Sequence, residues 1–322
     1  MNHVYVTRRI PEVGLDLLRS RYTVTLNEED RPVTRGELLE GVKGADGVLC
    51  LLTDRIDREV MAAAAQAKGF ANCAVGFDNI DLAEATRRKL PISNTPGILT
   101  DATAEMAWTL LFAAARRIIE SDAVMRSGLW KGWGPLQFVG GDVTGATLGV
   151  IGAGRIGEAF ARKSRGFEMP VLYADDRPNE RLERELGARQ VGLAELLSAS
   201  DFVSVHVPLS PATRHLIDRT ALHRMQRTAY LINTARGPVV DEIALVEALR
   251  EGVIAGAGLD VYEEEPRMAP GLASLPNVVL APHTASATVS ARNNMALKAA
   301  QNLIAMLEGE RAPDCLNPQI YE

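Results

Sequence analysis

The stretch that decides the fold of this chain is Ile151-Gly152-Ala153-Gly154-Arg155-Ile156-Gly157. Its GxGxxG spacing is a weak signal alone, but here it follows an apolar strand and opens a helix. Gly152 permits a tight turn, Gly154 lets the backbone approach a pyrophosphate, and Gly157 lets the helix pack on the strand. The N–H groups and the positive dipole at the start of that helix favour phosphate. The stretch therefore predicts a dinucleotide-binding unit.

An acidic pair follows the glycine stretch at the end of the next predicted strand. Asp175 lies 18 residues after Gly157 and is followed by Asp176. A carboxylate ~20 residues beyond the glycines bonds the ribose hydroxyls of the adenosine, and two acids repel the additional phosphate of NADP. Arg177 adjoins the pair, and its positive charge opposes that repulsion. The alternative role for Asp175 is a helix cap or a turn. The sequence predicts NAD in preference to NADP.

Outward from this stretch, short β-branched runs alternate with helical periodicity, which is typical of parallel α/β layering. One strand series is predicted at residues 147–151, 171–174, 202–207, 229–233, 256–261 and 278–281. Five earlier strands are predicted at 4–7, 22–26, 47–52, 70–75 and 92–94, with helices at 13–19, 58–67 and 82–88. A long helix is predicted from Ala102 to about Met125, and a last helix at 290–307 precedes a polar tail.

The predicted fold class is α/β with two Rossmann-like domains. Residues 99–287 form a central NAD-binding domain, because their strand series is complete by itself. Residues 1–98 and 288–322 are left over and are expected to join into a flavodoxin-like substrate domain. The chain would then cross between the domains near residues 98 and 287 and form a hinge there.

Composition excludes several classes of partner. The chain has 322 residues, 47% of them apolar and 24% charged, and a net charge of −6. An acidic chain without a basic tract argues against nucleic acid. The most apolar stretch, residues 106–115, has about half of the ~20 residues that span a bilayer, and the first residues read as a strand, so we expect a cytoplasmic protein. Cys50, Cys73 and Cys315 lie far apart without ligand spacing, so reduced thiols and no metal are expected.

Polar side chains follow three late strands at their carboxyl ends, where ligands bind in open α/β sheets. Arg236 follows the strand at 229–233, Glu265 follows 256–261, and His283 follows 278–281. Each alone could be a strand terminator, part of an acidic loop, or a turn cap. Their joint placement favours one catalytic set. The other histidines, at positions 3, 206, 215 and 223, lack comparable partners and are predicted to be structural.

The three side chains suit hydride transfer to a 2-oxo acid. Charge builds on the carbonyl oxygen during that reaction, and His283 can supply the proton. A carboxylate such as Glu265 behind the imidazole fixes its tautomer and favours its charged form. The planar guanidinium of Arg236 can grip the substrate carboxylate and polarise the carbonyl.

Several stretches together resemble the D-isomer-specific 2-hydroxyacid dehydrogenases. They are Gly152–Gly157, Asn233-Thr234-Ala235-Arg236-Gly237, Gly258-Leu259-Asp260-Val261-Tyr262-Glu263-Glu264-Glu265-Pro266 and Pro282-His283. The resemblance covers essentially the whole chain, in order. It implies a split substrate domain flanking a central NAD domain, with the cleft between them. It also implies a homodimer built largely from the NAD domains and the long helix after residue 100.

The resemblance implies a role for each matching residue. Arg236 is the implied substrate-binding arginine, Glu265 the carboxylate paired with the histidine, and His283 the acid–base. The residues implied to line the cofactor are Thr103, Gly152, Gly154, Arg155, Ile156, Gly157, Asp175, Pro208, Thr213, Thr234, Ala235, Arg236, Asp260 and His283, with Asp260 holding the carboxamide. The residues implied to bind substrate are Leu52, Val75, Gly76, Arg236 and His283, with the N–H groups of Val75 and Gly76 facing the substrate carboxylate.

Within the family, residues 74–81 and 130–136 look most like those of glyoxylate/hydroxypyruvate reductases. The expected activity is NAD(H)-dependent reduction of glyoxylate or hydroxypyruvate to the D-2-hydroxy acid. The usual His-Ile-Gly-Ser-Ala stretch is His283-Thr284-Ala285-Ser286-Ala287 here, which changes the packing beside the proton donor. Glu265 argues against formate dehydrogenase, which has glutamine there, and Val75 against phosphite dehydrogenase, which has lysine. A larger 2-oxo acid, or a non-catalytic NAD-sensing module like the co-repressors of this fold, remains the alternative.

Overall fold

The structure, a computed structural model, describes residues 2–322, which form two compact units. Unit 1 combines the residues up to Leu99 with Ala287–Glu322, and unit 2 is Thr100–Ser286. Each unit is built on a parallel β-sheet of its own. The predicted α/β class with two Rossmann-like sheets is confirmed.

The sheet of unit 1 has five parallel strands in the order β2-β1-β3-β4-β5, which is the flavodoxin-like order. The strands are β1 His3–Val6, β2 Thr23–Leu26, β3 Gly47–Cys50, β4 Phe70–Asn72 and β5 Ile92–Ser93. The helices are α1 Glu12–Arg19, α2 Arg35–Gly41, α3 Arg58–Ala63, α4 Leu82–Arg87 and, from the end of the chain, α12 Val289–Leu307. No helix was predicted at α2, whose only buried side chain is Leu38 and which begins with a Thr34 capping box.

The end of the chain completes unit 1. Helix α12 packs on α1, β3 and β4, where Met295, Ala299 and Leu303 are buried with Leu15 and Leu18 of α1. The predicted polar tail is not free. The Asn317 side chain is buried: it accepts from Ile92 N–H at 3.0 Å and donates to the Leu90 carbonyl at 2.9 Å. The tail thus borders β5, a role that its polar composition did not indicate.

The sheet of unit 2 has seven parallel strands in the order β12-β11-β10-β9-β6-β7-β8. Counted from β6, this is the dinucleotide-binding order 3-2-1-4-5-6 with a further strand at one edge. The strands are β6 Leu148–Ile151, β7 Val171–Ala174, β8 Arg189–Gln190, β9 Phe202–Val205, β10 Tyr230–Asn233, β11 Gly256–Leu259 and β12 Val278–Leu280. Strand β8 was not predicted, because both of its residues are exposed and polar.

The helices of unit 2 cover both faces of this sheet. They are α5 Thr100–Ala115, α6 Ile118–Arg126, α7 Arg155–Lys163, α8 Glu180–Leu186, α9 Leu193–Ala199, α10 Arg219–Arg224 and α11 Glu242–Glu251. Helix α7 follows β6 directly, and α5 packs on α7, β10 and β11. The carboxyl ends of all seven strands lie along one edge of the sheet, where the polar loops begin.

The single long helix predicted from Ala102 to about Met125 is wrong, because the chain breaks between α5 and α6. Arg117 adopts a left-handed conformation with φ of 51°, and Gly141 N–H donates to the Ala115 carbonyl at 2.9 Å. That carbonyl is thereby removed from the helical ladder. No glycine or proline lies near the break, so the local sequence gave no sign of it.

Within residues 2–322, no helix is long and apolar enough to cross a membrane. In the same residues, no group of three or more His, Cys, Asp or Glu side chains could hold a metal ion. The three cysteines form no disulfide.

Candidate active site

The glycine loop between β6 and α7 is shaped for close backbone approach. Gly152 has φ of +91°, and a Cβ there would lie 2.8 Å from the backbone nitrogen of Val207. A Cβ on Gly157 would lie 1.9 Å from the Gly152 carbonyl oxygen, whereas a Cβ on Gly154 would meet nothing within 4 Å. The loop is therefore closed at its two outer glycines and open at the middle one. Helix α7 begins with Arg155 and Ile156. The N–H groups of its first turn have no acceptor within the helix, so a pyrophosphate fits here.

Asp175 lies beside this loop. Its Oδ2 accepts from Ala153 N–H at 2.7 Å, and its Oδ1 accepts from Arg177 N–H at 3.3 Å. The Asn179 amide donates to the Ala153 carbonyl at 2.8 Å and braces the loop from the same side. Asp175 therefore lies at the glycine loop, where the cofactor prediction puts it. It also accepts a bond from the following turn, which is the alternative role. The carboxylate is exposed and keeps free acceptor capacity for hydroxyl groups.

Four buried hydroxyl groups of unit 2 find no hydrogen-bond partner within residues 2–322, namely those of Thr103 on α5, Ser164, Ser200 and Thr234 after β10. Buried side-chain hydroxyls are satisfied in the large majority of cases, so the hydroxyls of Thr103 and Thr234 keep the capacity to bond a ligand. Because Ser164 and Ser200 share this property, the cofactor contact of the two threonines stays a prediction. The Thr213 hydroxyl donates to the Pro208 carbonyl at 2.6 Å, which closes the turn after β9. Ala235 N–H donates to the Asn233 side chain at 3.0 Å.

His283 and Glu265 meet as a hydrogen-bonded pair. The distance from His283 Nδ1 to Glu265 Oε2 is 2.8 Å, and Glu265 Oε1 accepts from Tyr262 N–H at 3.0 Å. Burial disfavours the ionised carboxylate, but the His283 hydrogen bond and charge, the Tyr262 N–H and the charge of Arg236 outweigh it and lower the pKa of Glu265. With Nδ1 engaged by a carboxylate, Nε2 is the nitrogen that can exchange a proton with a ligand.

The backbone around His283 is held by Asp260. His283 has φ of 54°, and its N–H donates to the Asp260 carbonyl at 2.8 Å. The Asp260 carboxylate accepts from Thr284 N–H and Ala285 N–H, both at 2.7 Å. Burial raises the pKa of Asp260 despite these bonds. Asp260 thus fixes the turn that presents the imidazole, while its predicted bond to a carboxamide stays a prediction.

The loops that carry Arg236 and Glu265 pack backbone against backbone. A Cβ on Gly237 would lie 1.9 Å from the carbonyl carbon and oxygen of Tyr262, so only glycine permits this approach. The Asn233 amide donates to the Arg236 carbonyl at 3.0 Å and fixes the start of that loop. The Tyr262 hydroxyl donates to the Ala281 carbonyl at 2.9 Å. The structure therefore brings Arg236, Glu265 and His283 to adjacent strand ends in unit 2.

Sequence reasoning missed the contribution of Glu242 to this edge. The Glu242 carboxylate is buried and accepts from Glu263 N–H at 2.7 Å and from Ala269 N–H at 2.8 Å. An acid in the first turn of a helix is common, because its negative charge interacts favourably with the positive end of the helix dipole. The sequence around Glu242 therefore indicated nothing beyond the start of α11.

The expectation that His215 lacks a charged partner is wrong. His215 Nε2 lies 2.6 Å from Glu263 Oε1, and Arg214 donates to the same oxygen at 3.0 Å. Glu263 comes from a loop 48 residues further along the chain, so local sequence could not reveal the pair. His206 bonds the Ser204 hydroxyl at 2.9 Å, and burial lowers its pKa to about 3. His206 is thus neutral, and its structural role stays a prediction.

In unit 1, the carbonyl groups of the turn at Val75 and Gly76 accept hydrogen bonds from asparagine side chains. The Asn94 amide donates to the Val75 carbonyl at 2.7 Å, and the Asn72 amide donates to the Gly76 carbonyl at 2.9 Å. The N–H groups of Val75 and Gly76 find no acceptor within the part of the chain that the structure describes. They are available to an anion, as the predicted substrate role requires. Leu52 lies half-buried in the turn after β3.

Comparison with known proteins decides the family. The sequence profile of the D-isomer specific 2-hydroxyacid dehydrogenase, NAD binding domain, matches residues 108–285. The chain belongs to the D-isomer-specific 2-hydroxyacid dehydrogenases. As a member of this family it is an oxidoreductase, and unit 2, which contains all of the matched residues, is an NAD(P)-binding domain. The predicted family is confirmed.

Relatives of this dehydrogenase match over nearly their full length. The glyoxylate reductase of Thermococcus onnurineus is 51% identical over 321 residues, which are 98% of this chain and 96% of the relative. The glyoxylate reductase of Thermococcus kodakarensis is 50% identical over 323 residues, with 99% and 97% covered.

Solved structures agree with this dehydrogenase along the chain. The TT0316 protein from Thermus thermophilus has a TM-score of 0.92 and 44% identity, with 98% of this chain and 99% of that one covered. An NADPH-dependent glyoxylate/hydroxypyruvate reductase from Sinorhizobium meliloti, in complex with NADP and malonate, has a TM-score of 0.86 and 32% identity, with 98% and 96% covered. Proteins of this fold therefore include one that uses NADPH.

Proposed function

We propose that this dehydrogenase reduces glyoxylate or hydroxypyruvate to the corresponding 2-hydroxy acid, of D configuration where the product is chiral. The observation that carries the proposal is the 2.8 Å pair of His283 and Glu265 on the strand edge that also carries Arg236 and the glycine loop. The identity of 50% or more to two glyoxylate reductases, over nearly the whole chain, supports this substrate class.

The residues of unit 2 have distinct roles in the proposed reaction. The cofactor, bound along the glycine loop, supplies the hydride. Arg236 binds the substrate carboxylate and polarises the carbonyl group, because its planar guanidinium can donate two parallel hydrogen bonds. His283 gives its Nε2 proton to the oxygen on which charge develops. Glu265 keeps Nδ1 protonated and stabilises the charged ring before the proton leaves.

Unit 1 contributes to substrate binding in this proposal. The N–H groups of Val75 and Gly76 bind the carboxylate of the 2-oxo acid, and Leu52 contacts its small side chain. The support is the pair of N–H groups without an internal acceptor and the amides of Asn72 and Asn94 that tie back the neighbouring carbonyls. Unit 1 is accordingly the substrate-binding domain.

The proposed cofactor is NADH in preference to NADPH. The exposed carboxylate of Asp175 lies at the glycine loop and is followed by exposed Asp176. Two acids at this position would repel a phosphate on the adenosine ribose, and Asp175 can accept hydrogen bonds from free ribose hydroxyls. The NADPH-dependent relative shows that the fold alone does not decide the choice.

The proposed assembly is a homodimer in the cytoplasm. Several large apolar side chains after α6 are exposed, among them Trp133 at 84% and Leu136 at 88%. Apolar side chains concentrated in one segment mark an interaction surface, and a second copy of this chain is the occupant that the family resemblance implies. Sedimentation velocity tests the state, and a monomer at micromolar concentration would contradict it.

The function is tested by NADH oxidation, followed by its near-ultraviolet absorbance, with glyoxylate, hydroxypyruvate, pyruvate and 2-oxoisocaproate. His283→Gln should lower kcat by about 10²–10⁴, the usual contribution of a general acid. His223→Gln is the control, because it removes an exposed histidine on α10 that is not part of the site and should leave kcat within about twofold. Equal activity of His283→Gln and the wild type would contradict the role of His283. Activity on the larger acids alone would replace the proposed substrate, and NADH binding without turnover of any acid would favour a cofactor sensor.

A further inference from the structure

Glu242 is a buried carboxylate whose charge is balanced only by backbone groups. It is 5% exposed, and its Oε2 and Oε1 accept from Glu263 N–H and Ala269 N–H at 2.7 and 2.8 Å. No Lys or Arg pairs with it within residues 2–322. Burial of an ionised carboxylate is costly unless hydrogen bonds compensate it. A glutamate in this position therefore points to a task that an apolar side chain could not perform.

The two bonds enclose the loop that carries Glu265. Glu263 lies two residues before Glu265 and Ala269 four residues after it, so one side chain pins both ends of the loop to the first turn of α11. Hydrogen bonds to a carboxylate are roughly twice as strong as neutral ones. Other contacts of the loop are the pairs of Glu263 with Arg214 and His215 and the bond of Glu265 Oε1 to Tyr262 N–H. Glu242 is the side chain that bonds both ends of the loop.

We propose that Glu242 is a positioning residue for the reaction: it holds the loop 263–269 so that Glu265 reaches His283 Nδ1. This inference rests on the proposed function. Glu242 acts through the loop and donates or accepts no proton itself. The charged or titratable groups around the His283–Glu265 pair are Arg236, Asp260, Tyr262 and Glu242. Only Glu242 among them fixes both ends of the Glu265 loop.

The test compares Glu242→Gln with Glu247→Gln on the same helix. Gln at position 242 keeps the shape but replaces one acceptor oxygen with an NH₂ group, which cannot accept from a backbone N–H. One end of the loop is released, and a displacement of 1 Å near a reacting group lowers activity by about 10². We expect kcat/KM for glyoxylate to fall about 10- to 10²-fold, with NADH affinity within twofold of the wild type. Glu247→Gln removes only a surface pair with Arg219 and should change neither value.

A second readout does not depend on turnover. The chain has five histidines, so the ring signal of His283 can be assigned in NMR spectra by its loss in His283→Gln. When Glu265 retreats, the ring loses the acceptor of its Nδ1 proton, because Nδ1 lies 2.8 Å from Glu265 Oε2. A proton in a hydrogen bond to a carboxylate resonates far downfield, so we expect the Nδ1 proton signal of His283 to move upfield in Glu242→Gln. Glu242→Asp keeps the charge but shortens the side chain, and should show the same shift because it cannot reach both N–H groups.

The outcomes separate the two proposals. An upfield shift of the His283 Nδ1 proton signal in Glu242→Gln supports the positioning role even if the wild type reduces none of the four acids, a result that would overturn only the proposed function. An unchanged Nδ1 proton signal overturns the positioning role, including the case in which Glu242→Gln is merely less stable in thermal unfolding. Wild-type behaviour of Glu242→Asp would mean that the charge, and not the reach of the side chain, matters, and would also overturn it.

Discussion

Gly237→Ala is the perturbation whose magnitude the structure defines most directly. The added Cβ would lie 1.9 Å from the carbonyl carbon and oxygen of Tyr262 and 2.5 Å from Glu263 N. All three are backbone atoms, so no side-chain rotation relieves the contact. To restore a separation of 3.0 Å, the loop that carries Arg236 must move about 1 Å away from the loop that carries Glu265.

Both stability and activity should respond to that movement. Overpacking of this kind costs about 1–3 kcal/mol, which lowers Tm by roughly 2–4 °C for each kcal/mol in a domain of this size. A shift of about 1 Å takes the 2.8 Å bond between His283 and Glu265 beyond hydrogen-bond reach, or separates Arg236 from the pair by the same amount. We expect kcat/KM for glyoxylate to fall about 10²-fold.

Steady-state NADH oxidation and thermal unfolding by circular dichroism measure the two effects. Gly166→Ala is the matched control, because a Cβ there meets nothing within 4 Å and should change neither quantity appreciably. If Gly237→Ala loses stability but keeps its wild-type kcat/KM, the movement does not reach the reacting groups and the reasoning about the site is wrong. If it changes neither quantity, the close approach itself is refuted.

Two further predictions concern the cofactor and the pH dependence of stability. Asp175→Ser combined with Asp176→Arg removes the acids at the glycine loop and should raise the ratio of kcat/KM for NADPH over NADH by about tenfold; an unchanged ratio would refute the assignment of these acids. His206 has a pKa lowered from 6.5 to about 3 by burial, so below about pH 6.5 the unfolded chain takes up a proton that the folded chain refuses. The free energy of unfolding should therefore decline as the pH falls from 6.5 towards 3, by ~1–2 kcal/mol at pH 5. Urea unfolding at pH 7.5 and 5 should show less decline in His206→Gln, and an equal decline in both proteins would contradict the shift.

The sequence predicted the parts of the site that depend on local order. Parallel strands with buried faces deliver their carboxyl ends to one edge, so residues directly after β10, β11 and β12 had to meet there. Arg236, Glu265 and His283 could be grouped for this reason. The glycine loop was equally predictable, since the turn between strand and helix leaves no room for a Cβ at Gly152 or Gly157.

The missed features depend on contacts distant in sequence or on backbone detail. The bond between Glu242 and Ala269 joins residues 27 apart, and the pair of His215 and Glu263 joins residues 48 apart. Neither spacing has a periodic signature. The break at Arg117 also depends on a distant residue, because Gly141 N–H bonds a carbonyl at the end of α5. Helical propensity is a property of neighbouring residues and contains no information about such a bond.

The packing of α12 on α1 has a consequence for the order in which a ribosome can produce this protein. Unit 2 is one continuous segment, so all of its strands are synthesised before α12, and it can begin to fold while synthesis continues. Unit 1 must wait, because the apolar faces of Leu15 and Leu18 are covered by side chains such as Leu303, nearly three hundred residues later. During that interval the nascent first segment exposes part of its apolar core. Because exposed apolar surface promotes aggregation, chaperone binding is needed at this stage.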